Sequence, residues 1–124
     1  MQRLILLFLA GGVGTLSRFA LGGLVEKHYG ALFPSGTFVV NSLGCLLFGI
    51  LWGLTEDALA LSPSMRAVVF TGFMGAFTTF STFIFETVNL VTAADWAHAA
   101  LNCMGQILLG MGLLWLGLWL GKTV

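Results

Sequence analysis

Gly75-Ala76-Phe77-Thr78-Thr79-Phe80-Ser81-Thr82-Phe83 places four hydroxyl side chains, three phenylalanines and a helix-weakening glycine in the middle of an apolar segment of membrane-crossing length. Arg66 lies before that segment and Asp95 after it. A simple lipid anchor would carry Leu and Ile here. Polar groups at mid-membrane depth are costly unless they face protein or a wet path. The stretch therefore predicts a membrane protein with a permeation route.

Composition agrees, with 58% hydrophobic residues against 8% charged in 124 residues, far from the balance of a soluble domain. Five Lys or Arg offset five Asp or Glu. No basic face is available for nucleic acid, and no run of like charge suggests a tail. Cys45 and Cys103 lie in apolar segments without metal-ligand or redox spacing and read as small buried residues. Met1-Gln2-Arg3 followed by Leu4 to Ala10 resembles a signal peptide, but the apolar run continues beyond it and contains Arg18. A retained first helix is the expected reading.

Crossing about 30 Å of hydrocarbon takes about 20 helical residues. Four stretches qualify, 4–25, 36–54, 67–91 and 96–120, which predicts an all-α integral membrane protein with a single four-span domain over 1–124. Glu26 to Gly30 with Pro34-Ser35-Gly36, Glu56-Asp57 with Ser62-Pro63-Ser64, and Thr92 to Asp95 form the breaks. Four spans put both termini on one side. Arg3, Arg66 and Lys122 fall on that side, Lys27 on the other and Arg18 within a span, a bias too small to enforce one orientation.

The seventeen glycines are spread through the spans, where small residues let helix backbones approach closely. Four helices this short leave little room for water within one subunit, so a pore between subunits is expected. If both orientations insert, an antiparallel pair has its two-fold axis in the membrane plane.

Helical spacing aligns Asp95, His98, Asn102 and Gln106 on the fourth span and Thr37, Asn41, Gly44 and Cys45 on the second. Asn102 and Gln106 either line a pore or bond between helices, which contributes about 0.6 kcal/mol per bond. The Asn41 amide suits an anion that exchanges water for N–H groups, with helix–helix bonding as the alternative. Arg18 shares a face with Gly11, Gly14, Thr15 and Gly22. It supplies either a positive potential at a vestibule or a cap on a neighbouring helix end. Glu86 shares a face with Thr79, Thr82 and Phe83, whose hydroxyls can hold a carboxyl. Phe80 and Phe83, three residues apart, present toward one groove, where positive ring edges attract an anion weakly. Gly75 ahead of Thr78-Thr79 favours a break at the centre of the third span, releasing carbonyls that an oxygen-liganded cation can use.

Three motifs resemble one family over essentially the whole chain. They are Gly11-Gly12-Val13-Gly14 followed by Arg18, Pro34-Ser35-Gly36-Thr37 leading to Val40-Asn41, and Gly72-Phe73-Met74-Gly75 through Phe83 with Glu86. The family is that of the Fluc (CrcB) fluoride channels. The resemblance implies an antiparallel, dual-topology homodimer in the plasma membrane, with two pores that export fluoride passively. By position it implies Phe80 and Phe83 as pore rings, Asn41 as the pore amide and Ser81 and Thr82 as polar-track hydroxyls. Thr79, Asn102 and Gln106 join that polar path as candidates. Gly75 and Thr78 would give backbone carbonyls to a structural Na+ that is not transported, with Arg18 and Glu86 in vestibule or structural roles. The fourth span departs from the family pattern, in which a small hydroxyl is common where this chain has Gln106.

The rival expectation is a small proton-coupled multidrug carrier, which also has four short spans. Such carriers place their carboxylate in the first span, and this first span holds Arg18 and no acid. A structural subunit of a larger complex is a third reading. An enzyme has no footing, because no nucleophile, base and orienting group share a site.

Overall fold

The computed structural model of the chain describes residues 1–30, 32–57 and 61–123. Four helical spans, Gln2–Tyr29, Ser35–Glu56, Pro63–Thr92 and Trp96–Lys122, are long and apolar enough to cross a membrane, and there is no strand among the described residues. They outrun the predicted 4–25, 36–54, 67–91 and 96–120, since helical hydrogen bonding continues into interfacial residues such as Glu26, Lys27 and Lys122.

α1 (Gln2–Tyr29) stops at Gly30, whose φ of 78° suits a residue without Cβ. After α2 (Ser35–Asp57), Pro63 starts the short α3 (Pro63–Arg66), and the Ser62 hydroxyl accepts the Met65 N–H at 3.3 Å. The third span continues as a π-helical segment, Ala67–Met74, and then α4 (Gly75–Phe77). Thr78 (φ −88°, ψ 162°) and Thr79 (φ −149°, ψ 117°) are extended before α5 (Phe80–Thr92) resumes. Helical geometry is thus lost three residues after Gly75, which is itself helical at φ −64°, ψ −29°. The β-branched pair yields rather than the glycine.

α6 (Trp96–Lys122) follows a tight turn in which the Asp95 N–H reaches Leu90 O at 2.9 Å and Ala94 takes a φ of 56°. The Asp95 carboxylate then caps α6 by accepting the His98 N–H at 3.3 Å.

Packing is set by glycines. Gly49 and Gly53 of α2 lie against Gly117 and Gly121 of α6, and a Cβ on any of them would strike the other helix's backbone. Both pairs ascend in the same sense, so α2 and α6 are parallel, as the second and fourth of four spans must be. The i, i+4 spacing is the small-residue crossing that lipid-embedded helices favour. Gly14, the buried residue of α1, sits under Phe73 O, Phe77 N and Ala76 Cβ of the third span. Val40, Met74 and Phe77 form the buried centre between α2 and the third span, with Leu43, Leu47, Phe70 and Phe73 around it. Elsewhere α1, α5 and α6 present apolar side chains outward, including Phe8, Phe19, Phe85, Trp115 and Trp119.

Near the termini-bearing side, the Arg66 guanidinium lies 4.6 Å from the Trp52 ring centroid, and Trp52 Nε1 donates to Glu56 at 3.0 Å. Glu56 pairs with Lys122 Nζ at 2.9 Å. This polar and aromatic belt suits a headgroup depth.

Candidate functional site

Two extended residues near the middle of the third span interrupt the helical hydrogen bonding, and the backbone groups this releases must find other partners. Asn41, one and a half turns into α2, supplies both for Thr79. Its Oδ1 accepts the Thr79 N–H at 2.9 Å, and its Nδ2 donates to Thr79 O at 3.0 Å. The close approach is possible because Gly44 carries no side chain where Thr78 Cγ2 and the Phe77 ring pack.

The Thr79 N–H can only donate, so it fixes which end of the Asn41 amide faces it, and every later amide in the row inherits its direction. Asn41 Nδ2 also donates to Gln106 Oε1 at 2.8 Å, Gln106 Nε2 donates to Asn102 Oδ1 at 2.8 Å, and Asn102 Nδ2 donates to Thr87 Oγ1 at 2.9 Å. Thr87 Oγ1 ends the relay on Phe83 O at 2.8 Å. Turning any one amide over would oppose two donors or two acceptors. Asn102 is fully buried, at 0% exposure, and ties α6 to α5.

A groove of about 310 Å³ opens beside this relay, lined by Asn41, Cys45, Thr78, Thr79, Phe80, Phe83 and Gln106. Phe80 and Phe83 both reach it, with ring centroids 5.8 Å apart and planes tilted by 56°. They are not equivalent: Phe83 is 5% exposed and Phe80 74%. Phe80 is the first residue of α5 and projects outward from the groove's rim.

A second groove, of about 320 Å³, also borders Thr79 and is lined by Thr15, Arg18, Glu26, Thr37, Thr82 and Glu86. The Thr79 hydroxyl donates to Thr82 Oγ1 at 2.9 Å and accepts the Thr82 N–H at 3.3 Å, capping α5. Glu86 is held at 2.7 Å by the Thr37 hydroxyl of α2, and not by Thr79 or Thr82 on its own helix as the spacing suggests. Those two hydroxyls face each other instead. Glu86 Oε2 is buried and has no hydrogen-bond partner among the described residues.

The predicted site residues therefore divide. Asn41, Thr78, Thr79, Phe80, Phe83 and Gln106 meet at one groove, and Arg18, Thr79, Thr82 and Glu86 at the other. Asn102 stands behind Gln106, away from both. Ser81 is exposed and lines neither. Asp95 and His98 pair with each other, Nδ1 to Oδ2 at 2.7 Å, and do not join the Asn102–Gln106 row. The Thr37–Glu86 bond and the Thr87 anchor link positions on different spans, and no local pattern marks them.

The diverted hydrogen bonds also release carbonyls. In an unbroken helix the Gly75 carbonyl accepts from Thr79 and the Thr78 carbonyl from Thr82. Here the Thr79 N–H goes to Asn41 and the Thr82 N–H to Thr79 Oγ1. Freed backbone oxygens at the surface of a span suit a hard cation. No cluster of His, Cys, Asp or Glu with metal-holding geometry occurs among the described residues.

Comparison with known proteins matches residues 5–118 to the family described as CrcB-like protein, Camphor Resistance (CrcB). Similar curated proteins carry the name fluoride-specific ion channel FluC. One from Nitratidesulfovibrio vulgaris (strain Miyazaki F) is 53% identical over 124 residues, with both chains covered in full. Another, from Nitrosococcus oceani, is 49% identical over 99% of this chain and 98% of its own. A third, from Maridesulfovibrio salexigens, is 44% identical over 100% of this chain and 98% of its own.

Proposed function

This chain belongs to the CrcB-like family, and on that premise we propose that it is a fluoride-selective channel, not an enzyme, that lets fluoride leave the cell passively across the plasma membrane. The observation that carries the reading is the groove at Thr78–Thr79. It combines neutral N–H and O–H donors with two phenylalanine rings in a four-span protein. A small, strongly hydrated anion needs close donors to replace its water, and repeated weak attraction lets it leave again. Ring edges and amides supply that without a full positive charge.

Each groove is open on one subunit's surface, so a closed route requires a second copy. In the proposed assembly two antiparallel subunits form the dimer, each rim of Phe80 and Phe83 completes a path, and the dimer has two pores. The position of Phe80, which lines the groove and yet projects outward from its rim, supports this reading. Thr79, Ser81 and Thr82 would continue the polar path, and Arg18 and Glu86 would stand at its vestibule.

The released carbonyls of Gly75 and Thr78 fit a structural Na+ held by backbone oxygen, which would join the two copies near their centre and not be transported. No side-chain carboxylate is needed for such a site.

Proteoliposomes loaded with fluoride and read by an ion-selective electrode should release fluoride quickly and chloride hardly at all. Replacing Na+ with a bulky organic cation should lower release by weakening the dimer. Equal release of both halides would overturn the channel reading.

A further inference from the structure

Asn41 has two amide hydrogens, and both are already engaged. One is held by Thr79 O at 3.0 Å and the other by Gln106 Oε1 at 2.8 Å. An anion that is to bond Asn41 must displace one of these acceptors. Displacing Thr79 O would break one half of the two-point clamp by which Asn41, through Nδ2 and Oδ1, holds the extended segment in place. Gln106 Oε1 is the terminal oxygen of a flexible side chain that itself lines the groove. Its other end stays tied to Asn102, which is buried and anchored in turn on Thr87.

We propose that the Gln106 side-chain carbonyl is a tethered competitor for the anion: it occupies the anion's position on the Asn41 amide and swings aside when fluoride arrives, so that Gln106 sets the fluoride affinity of the groove. This rests on the fluoride-channel reading above. The direction of the relay is what makes it specific. Because the Thr79 N–H fixes Asn41, and Asn41 fixes Gln106, the atom that Gln106 shows to the Asn41 donor is an oxygen and not an N–H. Gln106 therefore acts against the anion at this position, where the opposite amide orientation would have added a second donor. Rotation about the Gln106 Nε2 to Asn102 contact moves Oε1 away while leaving Thr79 paired.

The test uses the full chain in lipid, with Gln106→Met, which keeps the bulk and removes the strong acceptor, and Gln106→Ala, which removes both. Fluoride concentration at half-maximal binding, read by calorimetry with sodium fluoride, should fall by about fivefold in each, the weight of one neutral hydrogen bond. In the unsubstituted protein, fluoride should shift the Asn41 side-chain amide protons and the Gln106 side-chain signals together by NMR, with the Thr79 backbone amide unmoved. That measurement stands even if a variant fails to assemble. Weaker binding in Gln106→Met would make Gln106 a donor to the anion and overturn the proposal. Binding unchanged in Gln106→Met, or Asn41 signals that move while those of Gln106 stay still, would overturn it equally. If the unsubstituted protein in liposomes passes no fluoride, it is the channel reading that fails, and the two failures are told apart by that control.

Discussion

Asn41 shows how one side chain can hold a fold and a site at once. Replacing it by Leu keeps the volume but orphans the Thr79 N–H, at a cost of about 1–3 kcal/mol for an unpaired buried group, and strips the Thr79 carbonyl of the second of its two bonds. Asn41→Leu should lower the unfolding midpoint in detergent and abolish fluoride flux. Equal stability in Asn41→Leu and the unsubstituted protein would remove Asn41 from the support of the extended segment. The two rings separate on the same logic. Phe80 is 74% exposed and Phe83 5%, so Phe80→Ile should abolish most fluoride release with unchanged stability. Phe83→Ile should lose flux and also destabilise, because ring atoms are removed from a packed position. Unchanged release in both would take the rings out of the mechanism. The spacing of Phe80 and Phe83 shows that they share a face, but it carries no information about which ring is covered. Thr37 illustrates the same limit, because its bond to Glu86 spans 49 positions. Neither residue's neighbours in the chain report the other.

At the scale of the elements, the glycines differ sharply in what they do. A Cβ at Gly117 would meet Leu46 O, with Ile50 N at 2.9 Å, while at Gly112 it would meet nothing within 4 Å. Gly117→Ala should therefore push α6 off α2 and lower stability by several kcal/mol, on the order of a core defect. Gly112→Ala should be neutral or slightly stabilising, by ~0.5 kcal/mol, since alanine is the better helix former. Similar effects from both would mean that close backbone approach does not hold this pair together. Ala94 runs the other way. Its φ of 56° lies where a Cβ is strained, and Ala94→Gly should raise stability by about 0.5–1 kcal/mol, the relief being partly offset by the freedom glycine gains on unfolding. The Asp95 cap adds a pH signature. Hydrogen bonds from the His98 ring and backbone hold the Asp95 carboxyl below its usual range. The stability it contributes is complete above the unfolded value and is lost as pH falls through the folded one. Asp95→Asn should flatten the loss of stability below about pH 4, read as the acid limb of the unfolding midpoint. Span number and order were legible because each span is a long apolar run between charged or Pro/Gly breaks. The point where the third span leaves helical geometry was not, because it depends on Asn41 of another helix taking up the Thr79 backbone groups.

For the molecule as a whole, orientation in the membrane decides how two copies can meet. Large apolar side chains such as Phe19, Phe80, Phe85 and Trp115 face outward, and lipid satisfies an apolar face as well as protein does. Exposure alone therefore does not distinguish a dimer face from a lipid face. The charge distribution is more telling. Arg3, Arg66 and Lys122 on the termini side against Lys27 on the other give an orientation bias that one or two added cations can tip. The proposed antiparallel dimer needs chains inserted in both orientations, so its activity must depend on leaving that bias weak. Gln2→Lys with Thr123→Lys should drive the termini to the cytoplasmic side, and Tyr29→Lys with Leu32→Lys should drive them out. Each variant expressed alone should give intact four-span protein and little fluoride release, and co-expression of the two should restore release. Cysteine labelling from either side of the membrane, at a position added beside a terminus, reports orientation independently of flux. If a variant labelled on one side alone still conducts like the unsubstituted protein, the two subunits are parallel, and the released carbonyls of Gly75 and Thr78 then face partners other than their own counterparts in an inverted copy.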